Sequence, residues 1–311
     1  FVHQVIVVGD IIAKLNTRAA STAGRSRVGG RLLEHIDDLV MLAVLEALDL
    51  DDIVQIGLAG DYEKLRAFIK EYLYDSIYLA SPGGNVAEAI KIGRLVRALD
   101  LQTVIPGQMD SEFRTSASSN ILKQAAARQN IKNIEANYMC ASACFFIFVA
   151  GVNRTNDLSE EPRLGIHRPF LTTDDLRTLN ASQAIASAKD LRTVVENYLK
   201  EMNVPAKYAD MMFSVPKDQV RWISSADFES DLEGFIPPLK DWIDARCDKR
   251  TDAEKAMWEL FKDKRQAEMT AAEKSVSELL WKKRSEQNRC ELGALGELNH
   301  QAHLKMFPEP R

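Results

Sequence analysis

The sequence predicts an α/β protein with a helical C-terminal extension, on three observations. Short apolar, β-branched runs alternate with stretches of helical period between residues 53 and 105, the rhythm of βαβ units and a largely parallel sheet. One such run passes into one such helix through Ser81-Pro82-Gly83-Gly84-Asn85, a turn of the kind that ends a strand and opens a helix. Beyond Pro237-Pro238 the strand signals stop and the chain becomes charged and helical.

Each element follows from local pattern. Residues 5–8 are a short β-branched run. Residues 17–31 are rich in Gly, Ser, Ala and Arg and read as linker. Their GRSRVGGR stretch lacks the Gly-Lys-Ser/Thr ending of a phosphate loop. Over 32–48, Leu32, Ile36, Leu39, Val40, Ala43, Val44 and Ala47 form one apolar helical face. Residues 1–50 are therefore an N-terminal linker and helix. Strands follow at 53–58, 77–80 and 103–105, with helices at 62–72 and 86–98 between them. Residues 107–133 are polar and interrupt the rhythm as an insertion, with a short helix at 121–128. A helix at 145–150, a strand at 164–167 and a long helix at 181–202 come next, the last stopped by Val204-Pro205. Trp222-Ile223-Ser224 precedes a short helix, and Pro237-Pro238 ends a core spanning 51–237. In the extension, 238–311, Thr251 with Glu254 and Thr270 with Glu273 form two capping-box patterns that place two helix starts.

Composition narrows the function. A chain of 311 residues holds about two domains. A formal charge of −5, with Lys and Arg interspersed among Asp and Glu, argues against nucleic acid as a partner. No run of 18 or more apolar residues exists, so the chain carries no membrane-spanning helix of its own. It starts at Phe1 rather than Met, which reads as a processed or trimmed fragment that a signal peptide or membrane anchor could have preceded. The four cysteines fall as Cys140 with Cys144 and Cys247 with Cys290. No CxxC pair or His–Cys cluster points to zinc. Cys247 and Cys290 sit on opposite sides of the predicted C-terminal helical pair, so a disulfide there is expected to pin it. Cys140 and Cys144 read either as a local disulfide or as two small buried thiols. His3, His35, His300 and His303 have no chemical context and are expected on surfaces.

The chemistry concentrates in two segments, Cys140-Ala141-Ser142-Ala143-Cys144 and Gly165-Ile166-His167-Arg168-Pro169. Ser142 stands at a predicted helix start and His167 at a strand end. A serine hydroxyl becomes a useful nucleophile once a base removes its proton, so the pair is the minimum machinery for covalent acyl transfer. Gly83, Gly84 and Ala143 bring backbone N–H groups to where an oxyanion would develop.

Taken in order, LASPGGNVAEAIKIGRLVRAL, NYMCASACFFIFVAGVNR and LGIHRPF resemble the Clp protease proteolytic-subunit family, nearest its extracytoplasmic Clp-like members, within the crotonase superfold. The resemblance spans roughly residues 53–237 and includes the Ser142–His167 interval. It implies a crotonase-type spiral of βαβ units and a serine peptidase. Ser142 would be the nucleophile, His167 the base, and Gly83 or Gly84 with Ala143 the oxyanion hole. It implies a peptide or protein substrate, a homo-oligomer, an oxidising extracytoplasmic compartment, and neither metal nor organic cofactor. The family's third catalytic residue is an Asp. Overlay puts Val220 at that position, and the nearest acid is Asp218, two residues earlier. Other readings are an inactive Clp-like scaffold or binding protein and a crotonase-type acyl-thioester enzyme, whose Gly-rich loop needs no Ser–His pair. A Ser–Lys peptidase like signal peptide peptidase A is a nearer neighbour, but His167 makes a lysine base unnecessary.

Overall fold

The computed structural model describes residues 4–6, 53–54, 60–71, 73–107, 138–156, 161–170, 177, 180–261, 264 and 268–308. The linker and helix expected over 17–48, the insertion at 108–133 with its helix, and His3 and His35 lie outside these residues.

The α/β reading holds, with mixed sheets rather than a largely parallel one. Strands β1 (Gln4–Ile6) and β2 (Ile53–Val54) lead to helix α1 (Asp61–Glu71), β3 (Ser76–Ala80), α2 (Val86–Ala98) and β4 (Gln102–Ile105). Then come β5 (Cys140–Ala141), α3 (Ala143–Phe148), β6 (Asn153–Asn156) and β7 (Leu164–Ile166). Helices α4 (Ala181–Glu201) and α5 (Lys207–Ser214) precede β8 (Arg221–Trp222), α6 (Ser225–Asp231) and β9 (Gly234–Phe235). The six-stranded sheet runs β2-β1-β3-β4-β6-β9 and the three-stranded sheet β5-β7-β8. The β3, β4 and β6 strands are parallel to one another, and β5 is parallel to β7, as helical crossovers require. The flanking β1, β2, β8 and β9 pair antiparallel. These are strands of two or three residues, too short for the alternation of their sequence to announce a direction.

The core forms around α3. All six of its residues, Ala143 to Phe148, are buried, and a helix that is apolar all round belongs inside. Phe145 stacks on Tyr208, Phe146 tilts against Tyr198, and Phe148 stacks on Phe228, so α3 is wrapped by α4, α5 and α6. Tyr198 Oη donates to the Phe146 carbonyl at 2.7 Å. Gly93 on α2 makes that reach possible, because a β-carbon there would lie 1.8 Å from the Tyr198 hydroxyl. Two arginines meet the carbonyl-rich ends of the helices. Arg97 Nε donates to Ala150 O at 2.8 Å, and buried Arg154 donates to Gly151 O at 3.1 Å and Met202 O at 2.5 Å. A guanidinium at a helix C-terminus complements both the orphan acceptors and the dipole. Burial, ahead of the nearby Arg97 charge, brings the Arg154 guanidinium down to about 9, which leaves it charged at neutral pH.

The extension consists of α7 (Pro237–Arg246), α8 (Asp252–Phe261) and α9 (Ala271–Met306). Both expected capping boxes are present, with Glu254 N–H donating to Thr251 Oγ1 and Glu273 N–H to Thr270 Oγ1. The Cys247–Cys290 disulfide, Cα–Cα 5.8 Å, joins the end of α7 to α9 as expected. The far end of α9 returns to the core. Asn299 Nδ2 donates to Leu99 O at 2.8 Å, and Arg66 lies over the Phe307 ring. His303 is half-buried, not on the surface as expected, and its Nε2 bonds Ile69 O at 2.9 Å. The sequence around it gave no sign that α9 folds back. His300 is exposed.

Glu88 ties α1 to α2. This buried carboxylate accepts the N–H of Tyr62 at 2.8 Å and of Gly60 at 3.1 Å. The Tyr62 N–H, more than the Lys91 ammonium, holds its carboxyl below the usual 4.5. A depressed folded pKa contributes stability above the unfolded value and loses it as pH falls through the folded one. In melting scans, Glu88→Gln should therefore lie below wild type by its full margin from about pH 5 upward, the gap closing as pH drops below about 4.5. A gap that stays constant down to about pH 3 contradicts the assignment.

Candidate functional site

The site is built on the two-residue strand β5, which is held from both sides. Cys140 N–H donates to Arg163 O at 2.8 Å, while Ser81 forms a parallel bridge with Cys140 and accepts the Ala141 N–H at 2.9 Å. The next residue, Ser142, keeps the ladder going by donating its N–H to Gly165 O at 3.0 Å. The chain must then turn at once into α3. It does so by placing Ser142 at φ 57, ψ −119, one of three non-glycine residues with positive φ among those described. A conformation of this kind costs about 1–3 kcal/mol and persists only where its surroundings enforce it. A strained strand-to-helix turn of this sort lifts a side chain clear of both elements. Ser142 is half-buried, and its hydroxyl makes no hydrogen bond among the described residues.

The Ser-Pro-Gly-Gly turn lies directly against this serine. Gly83 has φ +121, and a β-carbon on it would stand 2.5 Å from Ser142 Cβ and 2.9 Å from Ser142 Oγ. Glycine is thus required twice over, for its backbone angle and for the close approach. Gly83, Gly84 and Ala143 line one small cavity of about 20 Å³, with Ser81, Glu88, Ile92, Cys144 and Ile147, room for about one water molecule. The three expected N–H groups are not equivalent. Gly83 N–H donates to Ser81 Oγ at 3.2 Å. The N–H groups of Gly84 and Ala143 have no partner among the described residues. Ser81 was missed by sequence reasoning. Its place in the Ser-Pro-Gly-Gly motif was the available signal, but only the fold shows its hydroxyl holding the turn.

His167 follows β7 directly. Ser142 is bonded to Gly165, two residues before it, so the topology brings serine and histidine to neighbouring strand ends. No hydrogen bond joins Ser142 Oγ to the imidazole. Its Nδ1 lies 3.1 Å from Arg168 O, and its ring stacks on Phe170. A carbonyl only accepts, so Nδ1 carries the proton and Nε2 of the neutral ring is left with its lone pair. Along the register Gly165↔Trp222, Ile166↔Arg221, the next pair places His167 opposite Val220. Asp218 is exposed, in a turn where Gln219 N–H donates to Pro216 O, and it makes no hydrogen bond or ion pair among the described residues.

The second disulfide closes around the serine. Cys140 and Cys144 are bonded, Cα–Cα 5.3 Å, with Ser142 midway between them. Of the two readings open for this pair, the structure takes the disulfide, and no cysteine is free. The described residues contain no group of three or more His, Cys, Asp or Glu fit to hold a metal ion.

Gly83→Ala tests the packing of the turn against the serine. The substitution should lower the melting temperature and abolish covalent labelling of Ser142 by a fluorophosphonate, because the new methyl occupies the space of the hydroxyl. Unchanged labelling in a folded Gly83→Ala protein contradicts this geometry.

In comparisons with known proteins, no protein-family model and no curated protein matches the chain.

Proposed function

We propose that the protein is a serine peptidase of Clp-like, crotonase-type architecture, acting on peptide or protein substrates. The observation that carries the reading is Ser142, held in a positive-φ strand-to-helix turn with its hydroxyl unpaired and Gly83 packed against it, the residues next in the chain, Gly84 and Ala143, having N–H groups without a partner among the described residues. In the reaction, Ser142 Oγ attacks the scissile carbonyl carbon while His167 Nε2 takes its proton. The carbonyl π electrons move onto oxygen, and the Gly84 and Ala143 N–H groups receive that oxyanion. Such donors, fixed in place beforehand, are worth about 10²–10³ in turnover each. Collapse of the tetrahedral centre expels the amine, which leaves with the proton from His167. Water, deprotonated by the same imidazole, then releases the acyl group and restores the serine.

The imidazole needs an orienting partner. Here that partner is the Arg168 carbonyl, which fixes the tautomer with Nε2 free, in the role the sequence assigned to Asp218. Ser142 and His167 share no hydrogen bond in the free protein, and catalytic hydrogen bonds are commonly long until substrate binds. The two disulfides favour an oxidising, extracytoplasmic compartment, and the described residues contain no helix long and apolar enough to cross a membrane. The Clp resemblance carries the proposal of a homo-oligomer.

A second reading, an inactive scaffold of the same fold, draws on the absence of a Ser–His hydrogen bond and of a carboxylate on the imidazole. Hydrolysis of fluorogenic peptides separates the two. Ser142→Ala should abolish turnover with little change in melting temperature. His167→Ala should lower it by roughly two to four orders of magnitude. Asp218→Asn should leave turnover near wild type. Activity that survives Ser142→Ala contradicts the peptidase reading, and inactive, unlabelled wild type supports the scaffold.

A further inference from the structure

We propose that the Cys140–Cys144 disulfide is a positioning element for the nucleophile, a covalent brace that holds Ser142 in its strained turn rather than a general staple of the fold. The inference rests on the serine reading above. Cys140 is the first residue of β5 and Cys144 the second of α3. The bond therefore ties strand to helix across the single residue where the chain reverses. The ring it closes contains Ala141, Ser142 and Ala143 and no other residue between the cysteines.

Hydrogen bonds alone leave one side of the turn open. The strand side is held by Ser81, Arg163 and Gly165. On the helix side, the first turn contributes Phe145 N–H to Ser142 O at 3.1 Å, while Ala143 N–H stays unpaired at the cavity. Nothing in that set of bonds requires a positive φ at Ser142 (φ 57). A helix start could relax toward an ordinary angle, turning the hydroxyl away from Gly83, against which it now packs. The disulfide limits that relaxation by fixing the Cα separation across the turn at 5.3 Å.

The bridge is a standing brace and not a redox switch. Cys140 is 0% and Cys144 2% exposed, and thiol–disulfide exchange needs access to a sulfur. Its effect should thus appear when the bond is removed by substitution, and in reactivity before stability.

The Cys247–Cys290 disulfide, which joins α7 to α9 in the C-terminal extension, supplies the internal control. Three proteins are compared: wild type, Cys140→Ala/Cys144→Ala and Cys247→Ala/Cys290→Ala. The readouts are the second-order rate of fluorophosphonate labelling at Ser142, kcat and KM on a fluorogenic peptide, and the melting temperature. Loss of the brace should slow labelling roughly ten- to hundredfold, the population lost when a strained conformer is no longer enforced, with kcat falling by a similar factor and KM near wild type. Loss of the Cys247–Cys290 bond should lower the melting temperature and leave the labelling rate unchanged. Equal labelling of the folded Cys140→Ala/Cys144→Ala protein and wild type overturns the inference. Should that variant fail to fold, Cys140→Val/Cys144→Ala, which keeps apolar volume, is read in the same way. If neither folds while the Cys247→Ala/Cys290→Ala protein does, the bond serves the fold and the inference falls. Wild type that takes no label at all refutes the serine reading itself, a result distinct from equal labelling.

Discussion

The structure turns on the pairing of one two-residue strand. Cys140 and Ala141 are clamped between Ser81, at the end of β3, and Leu164 and Gly165 of β7. That pairing joins the six-stranded sheet to the three-stranded one and fixes the level at which the chain must leave the ladder. The helix that follows is the apolar centre of the core and cannot shift without disturbing Phe145, Phe146 and Phe148. Strand and helix are thus both placed, the Cys140–Cys144 bond spans the reversal between them, and the strain falls on Ser142. The same clamp carries the Ser-Pro-Gly-Gly turn along with Ser81, so Gly83 is pressed against the serine and Gly84 faces the same cavity as Ala143.

Backbone groups do most of the electrostatic work. The proposed oxyanion donors are main-chain N–H groups, and the group that sets the imidazole tautomer is a main-chain carbonyl. The positive charges nearest the core, on Arg97 and Arg154, are spent on helix-terminal carbonyls away from the serine, Arg154 wholly so. An unpaired buried charge beside the cavity would compete with these dipoles. The one buried acid lining it, Glu88, is occupied by the Tyr62 and Gly60 N–H groups and by Lys91. The same cavity is lined by Gly84 and Ala143, whose N–H groups have no partner among the described residues, and by the apolar Ala89, Ile92 and Ile147.

Features set by local chemistry were legible in the sequence. Helix α2 runs from Val86 to Ala98 as read, because Asn85 accepts the Glu88 N–H and starts it. Both threonine capping boxes formed, since each is closed within four residues. The Cys247–Cys290 bond followed from where its cysteines sit on the predicted helices. Features set by distant partners were not legible. The antiparallel flanks depend on pairing between segments far apart in the chain. His303 is half-buried because α9 folds back to Ile69, 234 residues earlier in the chain. At the site, the sequence offered Gly83 and Gly84 as equivalent donors. Only the Ser81 hydroxyl, which takes up the Gly83 N–H, separates them. Asp218 came from proximity along the chain, whereas the Nδ1 partner of His167 is a carbonyl that no side-chain pattern reveals.

The most direct test of the account is a crystal structure of the protein after reaction with a fluorophosphonate. The account predicts phosphorus bonded to Ser142 Oγ, a phosphoryl oxygen about 3 Å from both the Gly84 and Ala143 N–H groups, and His167 Nε2 turned toward the serine oxygen. An unmodified Ser142, or an adduct whose oxygen points away from both N–H groups, contradicts it.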